Sequence, residues 1–235
     1  MSGNICKIAL ILGIALITYS CSVYKVPSTN YYLDKNGNSI SQEAFDAKLI
    51  SGDGDFALWK YAARDSSMVI RFSHPVYETY NINYRQFKES MTILTGNTYT
   101  AKTTFILHYT FKDDYCTNQA PNEWNSQRVG NSYRYISRHI KQLEKEYPQV
   151  KYSSHFENGI KLPELKEKQS EFIFKDQYDF LRKNIFRNPS LCGSYAIIKP
   201  NGEMLIRNGE YGLQGILEHL KPTNWSQFFP ENQKN

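Results

Sequence analysis

The chain has 235 residues, 40% hydrophobic and 22% charged, with 28 Lys and Arg against 23 Asp and Glu for a formal net charge of +5. This balance excludes a disordered chain and a multi-span membrane protein, and the length is enough to build an apolar core without staples. Four cysteines are too few for a disulfide scaffold and lack zinc-ligand spacing, and the positive charge is not gathered into a nucleic-acid stripe.

Residues 1–7 are polar with a single Lys7, and residues 8–17 (IALILGIALI) form an unbroken apolar run followed by Thr18-Tyr19-Ser20-Cys21. That is the pattern of a secretory signal peptide. The run is shorter than the roughly 20 apolar residues a membrane-spanning helix needs. The segment Leu16-Ile17-Thr18-Tyr19-Ser20-Cys21 resembles a bacterial lipobox, with a bulky Tyr19 of the kind tolerated in lipoproteins of the Bacteroidota. The resemblance implies removal of residues 1–20, lipidation of Cys21, and anchorage to the membrane at the bacterial cell envelope. Ordinary cleavage nearby, with Cys21 unmodified, is the alternative. Residues 21–30 then form a polar tether containing Pro27. In that compartment nucleic acid drops out as an expected partner, and disulfides persist.

Residues 31–83 read as a β-rich N-terminal extension. Asn36-Gly37 signals a type I′ hairpin turn, and Ser41 can cap a short helix running to about Leu49. Asp34-Lys35-Asn36 hints at a calcium loop, but Ser39 and Phe45 stand where Gly and Glu would be needed. Strands are expected at residues 68–72 and 77–82, on either side of Pro75. From residue 84 the order is clearer. Phe87, Met91 and Leu94 mark an amphipathic helix capped by Gly96, and residues 103–111 (TTFILHYTF) are a central buried strand. Tyr133, Ile136, Ile140, Leu143 and Tyr147 give a second helix beginning near Ser132, followed by a strand at 150–156. Tyr178, Leu181 and Ile185 mark a third helix. Strands at 194–198 and 204–207 flank Pro200-Asn201-Gly202, and a last helix at 213–220 stops at Pro222, leaving residues 222–235 as a tail.

Helix-separated strands are parallel and the final pair is an antiparallel hairpin, which predicts a mixed sheet between two helical layers. This order, with two segments, resembles the thioredoxin family over residues 84–221. Tyr115-Cys116-Thr117-Asn118-Gln119 is similar to the family's W-C-x-x-C segment. Cys192-Gly193-Ser194-Tyr195-Ala196-Ile197-Ile198-Lys199-Pro200-Asn201-Gly202 is similar to the strand after its cis-proline. The expected fold is therefore a thioredoxin-like three-layer α/β/α domain with a mixed central sheet, plus the N-terminal extension. The departures are chemical. Gln119 replaces the second cysteine, Gly193 takes the cis-proline position, and Pro121 and Gly130 interrupt the region where the family's active-site helix begins.

The resemblance also implies that Cys192 lies beside Cys116, since the residue before the cis-proline position faces the active cysteine. Three fates stay open for the pair: a redox couple with Cys116 attacking and Cys192 resolving, a permanent disulfide, or two inert buried thiols. Asp113 and Asp114 would raise the thiol pKa of Cys116 and oppose catalysis, or simply turn the chain. His74, His108, His139, His155 and His219 have no metal-binding spacing, so neither metal nor cofactor is expected. The function expected first is a lipid-anchored, non-catalytic binding or scaffolding module for an envelope partner. The alternative is a thiol–disulfide oxidoreductase.

Overall fold

The computed structural model describes residues 29–51, 55–64, 67–117 and 119–230. Residues 1–28, which hold the expected signal peptide, Cys21 and most of the expected tether, lie outside the described residues, as do residues 52–54.

A small four-stranded sheet comes first. Strand β1 (Asn30–Leu33) pairs antiparallel with β2 (Ser39–Ile40) and parallel with β4 (Met68–Pro75), which pairs antiparallel with β3 (Phe56–Ala62). Helix α1 (Gln42–Ile50) begins at Ser41, whose side chain accepts the Ala44 N–H, and buries Phe45 against Tyr32 and Phe72. The β1–β2 turn is not type I′. Only Gly37 has positive φ, at 84°, and its N–H bonds the Asp34 carbonyl while the Asp34 N–H bonds Asn38. That is a type I turn closed by a glycine bulge, with Asp34 Oδ1 accepting the Asn36 and Asn38 N–H groups. The acid of the rejected calcium loop is thus occupied in shaping the turn. Pro200-Asn201-Gly202 adopts the same form.

The main sheet has six strands in the order β5-β10-β9-β6-β7-β8: β5 (Tyr77–Asn81), β6 (Thr104–Thr110), β7 (Val150–Glu157), β8 (Ile173–Asp176), β9 (Ser194–Ile198) and β10 (Glu203–Asn208). β6, β7 and β8 run parallel, while β9, β10 and β5 complete the sheet antiparallel, so the sheet is mixed as expected. The chain enters it at β5, before residue 84, so the expected extension contributes one edge strand of the main sheet.

Alternation along the strands divides two apolar layers. On one face Ile106, Tyr152, Ile197 and Leu205 pack against Ile136, Ile140 and Leu143 of α3 (Ser126–Glu146) and against α6 (Leu213–Glu218). On the other, Phe105, Leu107, Tyr109 and Ile198 meet Phe87 and Met91 of α2 (Tyr84–Thr95) and Leu181 of α5 (Phe180–Asn184). Three layers, α/β/α, result. A short helix, α4 (Glu167–Ser170), precedes β8. Pro222 opens a final turn, α7 (Pro222–Trp225), with its ring at the first helical position, where no N–H is needed. This turn seats Trp225, Phe228 and Phe229 on the first face, so the aromatic tail packs on the domain edge.

α3 starts at Ser126 rather than near Ser132, because Asn125 accepts the Arg128 N–H at 2.8 Å as its cap. β8 ends in a buried carboxylate. Asp176 accepts the Tyr109 hydroxyl at 3.0 Å, the Leu181 N–H at 3.2 Å and the Arg182 N–H at 2.8 Å, tying the edge strand to α5. Removing that acceptor strands two buried donors and one half-buried donor. Asp176→Ala is expected to lower unfolding free energy by roughly 2–4 kcal/mol in urea titrations, and Tyr109→Phe by only about 1 kcal/mol.

Candidate functional site

The carboxyl end of β6 leads into Asp113-Asp114-Tyr115-Cys116, and residues 190–193 return to the same edge before β9. There Cys116 and Cys192 are joined. Their sulfurs lie 2.02 Å apart and their Cα atoms 4.9 Å apart, across 76 residues of sequence. The two candidate residues are thus brought together as a disulfide, half-buried on both sides.

One carboxylate holds both halves. Asp114, 6% exposed, accepts the Cys116 N–H at 3.0 Å and the Cys192 N–H at 3.1 Å on the same Oδ1. Burial pushes its carboxyl pKa up, against the downward pull of the N–H groups of Cys192, Cys116 and Gly193 and of the Arg128 charge. On sequence alone this residue is a turn-former beside a thiol. Its backbone-bridging role depends on a segment 78 residues away, which no local pattern announces.

The backbone at Cys192 and Gly193 is left-handed, with φ of 67° and 80°. A non-glycine residue gives up about 1–2 kcal/mol to sit there. Gly193 is required for a second reason: a Cβ would stand 2.5 Å from the Tyr109 carbonyl and 3.1 Å from His108 Nε2. The expected cis-proline site is therefore a left-handed glycine, and the described residues contain no cis peptide bond. Below it a buried polar cluster fixes the loop. Ser190 Oγ donates to the Gly193 carbonyl and accepts the Gly209 N–H, Ser194 Oγ donates to Asn208 Oδ1, and Asn208 Nδ2 donates to the Pro75 carbonyl.

The electrostatics do not favour a thiolate. Asp114 touches both half-cystine backbones, and a Glu210 carboxylate oxygen lies 3.9 Å from Cys192 Sγ. α3 begins ten residues beyond Cys116, so the helix does not start at the cysteine as it does in the W-C-x-x-C arrangement. His108 Nδ1 meets Ser154 Oγ at 3.2 Å, and burial depresses the ring pKa to about 4, so it is neutral near pH 7.

Beside the disulfide is a cavity of about 190 Å³, bordered by His108, Asp114, Trp124, Arg128 and the two cysteines. Trp124 and Arg128 were not singled out from the sequence. The Arg128 guanidinium lies 3.8 Å above the Trp124 ring, a pair four residues apart across the start of α3. That spacing was the available signal. Among the described residues no group of three or more His, Cys, Asp or Glu could hold a metal ion, and no helix is long and apolar enough to cross a membrane.

No family model, curated protein or solved structure gives a significant match to the chain.

His108 binds fewer protons folded than unfolded between its ordinary pKa of 6.5 and about 4. Its contribution to stability is therefore full above pH 6.5 and is lost as pH falls through that window. The stability margin of the wild type over His108→Gln, read from urea midpoints, should shrink as pH is lowered from 6.5 to 4 and stay flat above it.

Proposed function

We propose that this is a lipid-anchored cell-envelope protein whose thioredoxin-like domain is a non-catalytic binding module, with Cys116–Cys192 as a structural bridge. The observation that carries the reading is Asp114 accepting the N–H groups of both half-cystines, with the Glu210 carboxylate at the Cys192 sulfur. A reactive thiolate is favoured by positive charge at the sulfur, and the charged groups in contact with the bridge are the Asp114 and Glu210 carboxylates, with Arg128 elsewhere on the cavity wall. The element order from α2 to α6 and the meeting of Cys116 with Cys192 support the thioredoxin likeness. The apolar run ahead of Cys21 supports the anchor, and a half-exposed disulfide fits an oxidising compartment.

A second reading, thiol–disulfide exchange with Cys192 resolving, rests on the accessibility of the bridge beside a cavity. The two readings differ in stability and turnover. A bridge spanning 76 residues removes chain entropy worth about 4 kcal/mol from the unfolded state. Under the structural reading, Cys116→Ser/Cys192→Ser loses stability of that order in urea, and the wild type does not speed reduction of a disulfide-bonded test protein by dithiols. An unchanged midpoint together with catalysed reduction would falsify it. For the anchor, Cys21→Ala should abolish incorporation of labelled fatty acid and release the protein from membranes; retention of label would count against lipidation at that residue.

A further inference from the structure

The cavity beside the bridge has an unbalanced set of polar groups. Arg128 has no carboxylate within 4.0 Å among the described residues. Among the described residues its guanidinium donates one hydrogen bond, from Nη1 to the Ala120 carbonyl at 3.0 Å. Partial burial lowers its pKa against the opposing attraction of Asp114, so its charge is poorly hydrated and is balanced by Asp114 only from beyond 4.0 Å. Trp124 Nε1 is buried with no hydrogen-bond partner among the described residues, a condition that native structures seldom leave without a ligand, ion or water. Both residues line the cavity. Arg128 also sits in the first turn of the 21-residue α3, where the helix dipole adds positive potential. Among the described residues on the cavity wall Asp114 is the one acid, and its Oδ1 accepts the Cys116 and Cys192 N–H groups.

We infer that this cavity binds a carboxylate carried on a short apolar group, with Arg128 holding the carboxylate and the disulfide, Pro121 and the Trp124 ring enclosing the apolar part. The inference rests on the binding-module reading above and gives it a ligand chemistry. Shape and size support it. Stacking on Trp124 covers one face of the guanidinium and leaves its edge for a planar, two-oxygen acceptor, the geometry that carboxylates fit. A volume of 190 Å³ falls below the roughly 300–1,000 Å³ of cofactor-sized sites and suits a few heavy atoms. Two sources share this chemistry: a free short-chain carboxylic acid, and the C-terminal residue of a peptide.

The test is an NMR titration of the oxidised full-length protein, following the indole N–H signals. The probes are butyrate, an N-acetylated tripeptide ending in valine with a free carboxyl terminus, its amide, and inorganic phosphate. Butyrate or the free-acid peptide should shift the Trp124 indole signal saturably, with the tighter of the two naming the source, while the amide and phosphate should not. Arg128→Ala should weaken the acid roughly tenfold or more in protein whose NMR spectrum shows it still folded, and Arg128→Lys less. Trp124→Phe, which keeps the ring under Arg128, should weaken it without abolishing it. Equal binding of acid and amide, phosphate binding as tight as carboxylate, no saturable shift with either acid, or indifference to Arg128→Ala each overturns the inference. Thiol trapping in the same samples separates the two levels: absent binding with an inert bridge sinks the ligand alone, whereas an exchanging bridge sinks the module reading beneath it.

Discussion

The arrangement of the site depends on one carboxylate oxygen. Asp114 Oδ1 accepts an N–H from Cys116 and another from Cys192, bonding noncovalently the two loops that the disulfide bonds covalently. Charge-assisted bonds of this kind are about twice as strong as neutral ones, and burial keeps water from competing for the donors. They sustain a left-handed Cys192–Gly193 backbone and help set the Cα separation of 4.9 Å. The same burial raises the carboxyl's pKa, so the latch is bought with desolvation of a charge.

Support comes from both sheets. The loop carrying Cys192 is anchored from below by Ser190, Ser194 and Asn208, and Asn208 bonds to Pro75 where β4 ends. The Leu191 N–H donates to the Leu58 carbonyl of β3 at 2.6 Å. The N-terminal sheet therefore braces the bridge loop directly. On the opposite edge, Asp176 fixes β8 to α5, and Glu157 joins the start of the Cys116 loop to Arg182 through the Lys112 N–H and a 3.2 Å ion pair. Under the proposed binding reading, a bridge embedded in this way is part of the scaffold, and recognition falls to the side chains around the cavity.

Long periodic elements were legible in the sequence because burial dictates their pattern. β6 is apolar on both faces, and α3 repeats its core contacts through Ile136, Ile140 and Leu143. The elements that the sequence pattern does not reveal are short or polar. β8 is four residues long and ends in Asp176, whose partners come from β6 and α5. The start of α3 was hidden by Pro121 and Gly130, although Asn125 is an ordinary cap. The meeting of Cys116 and Cys192 was inferred only through a family resemblance. The roles of Asp114, Trp124 and Arg128 were not visible at all, since each is defined by partners that folding supplies.

Whether the proposed scaffold bridge is instead a reagent is read most directly from its midpoint potential, by mass-resolved thiol trapping of Cys116 and Cys192 in the folded protein across graded dithiol buffers. A scaffold bridge has a value below about −300 mV, the range of structural disulfides. A midpoint between roughly −180 and −270 mV, where exchange proteins operate, would contradict it.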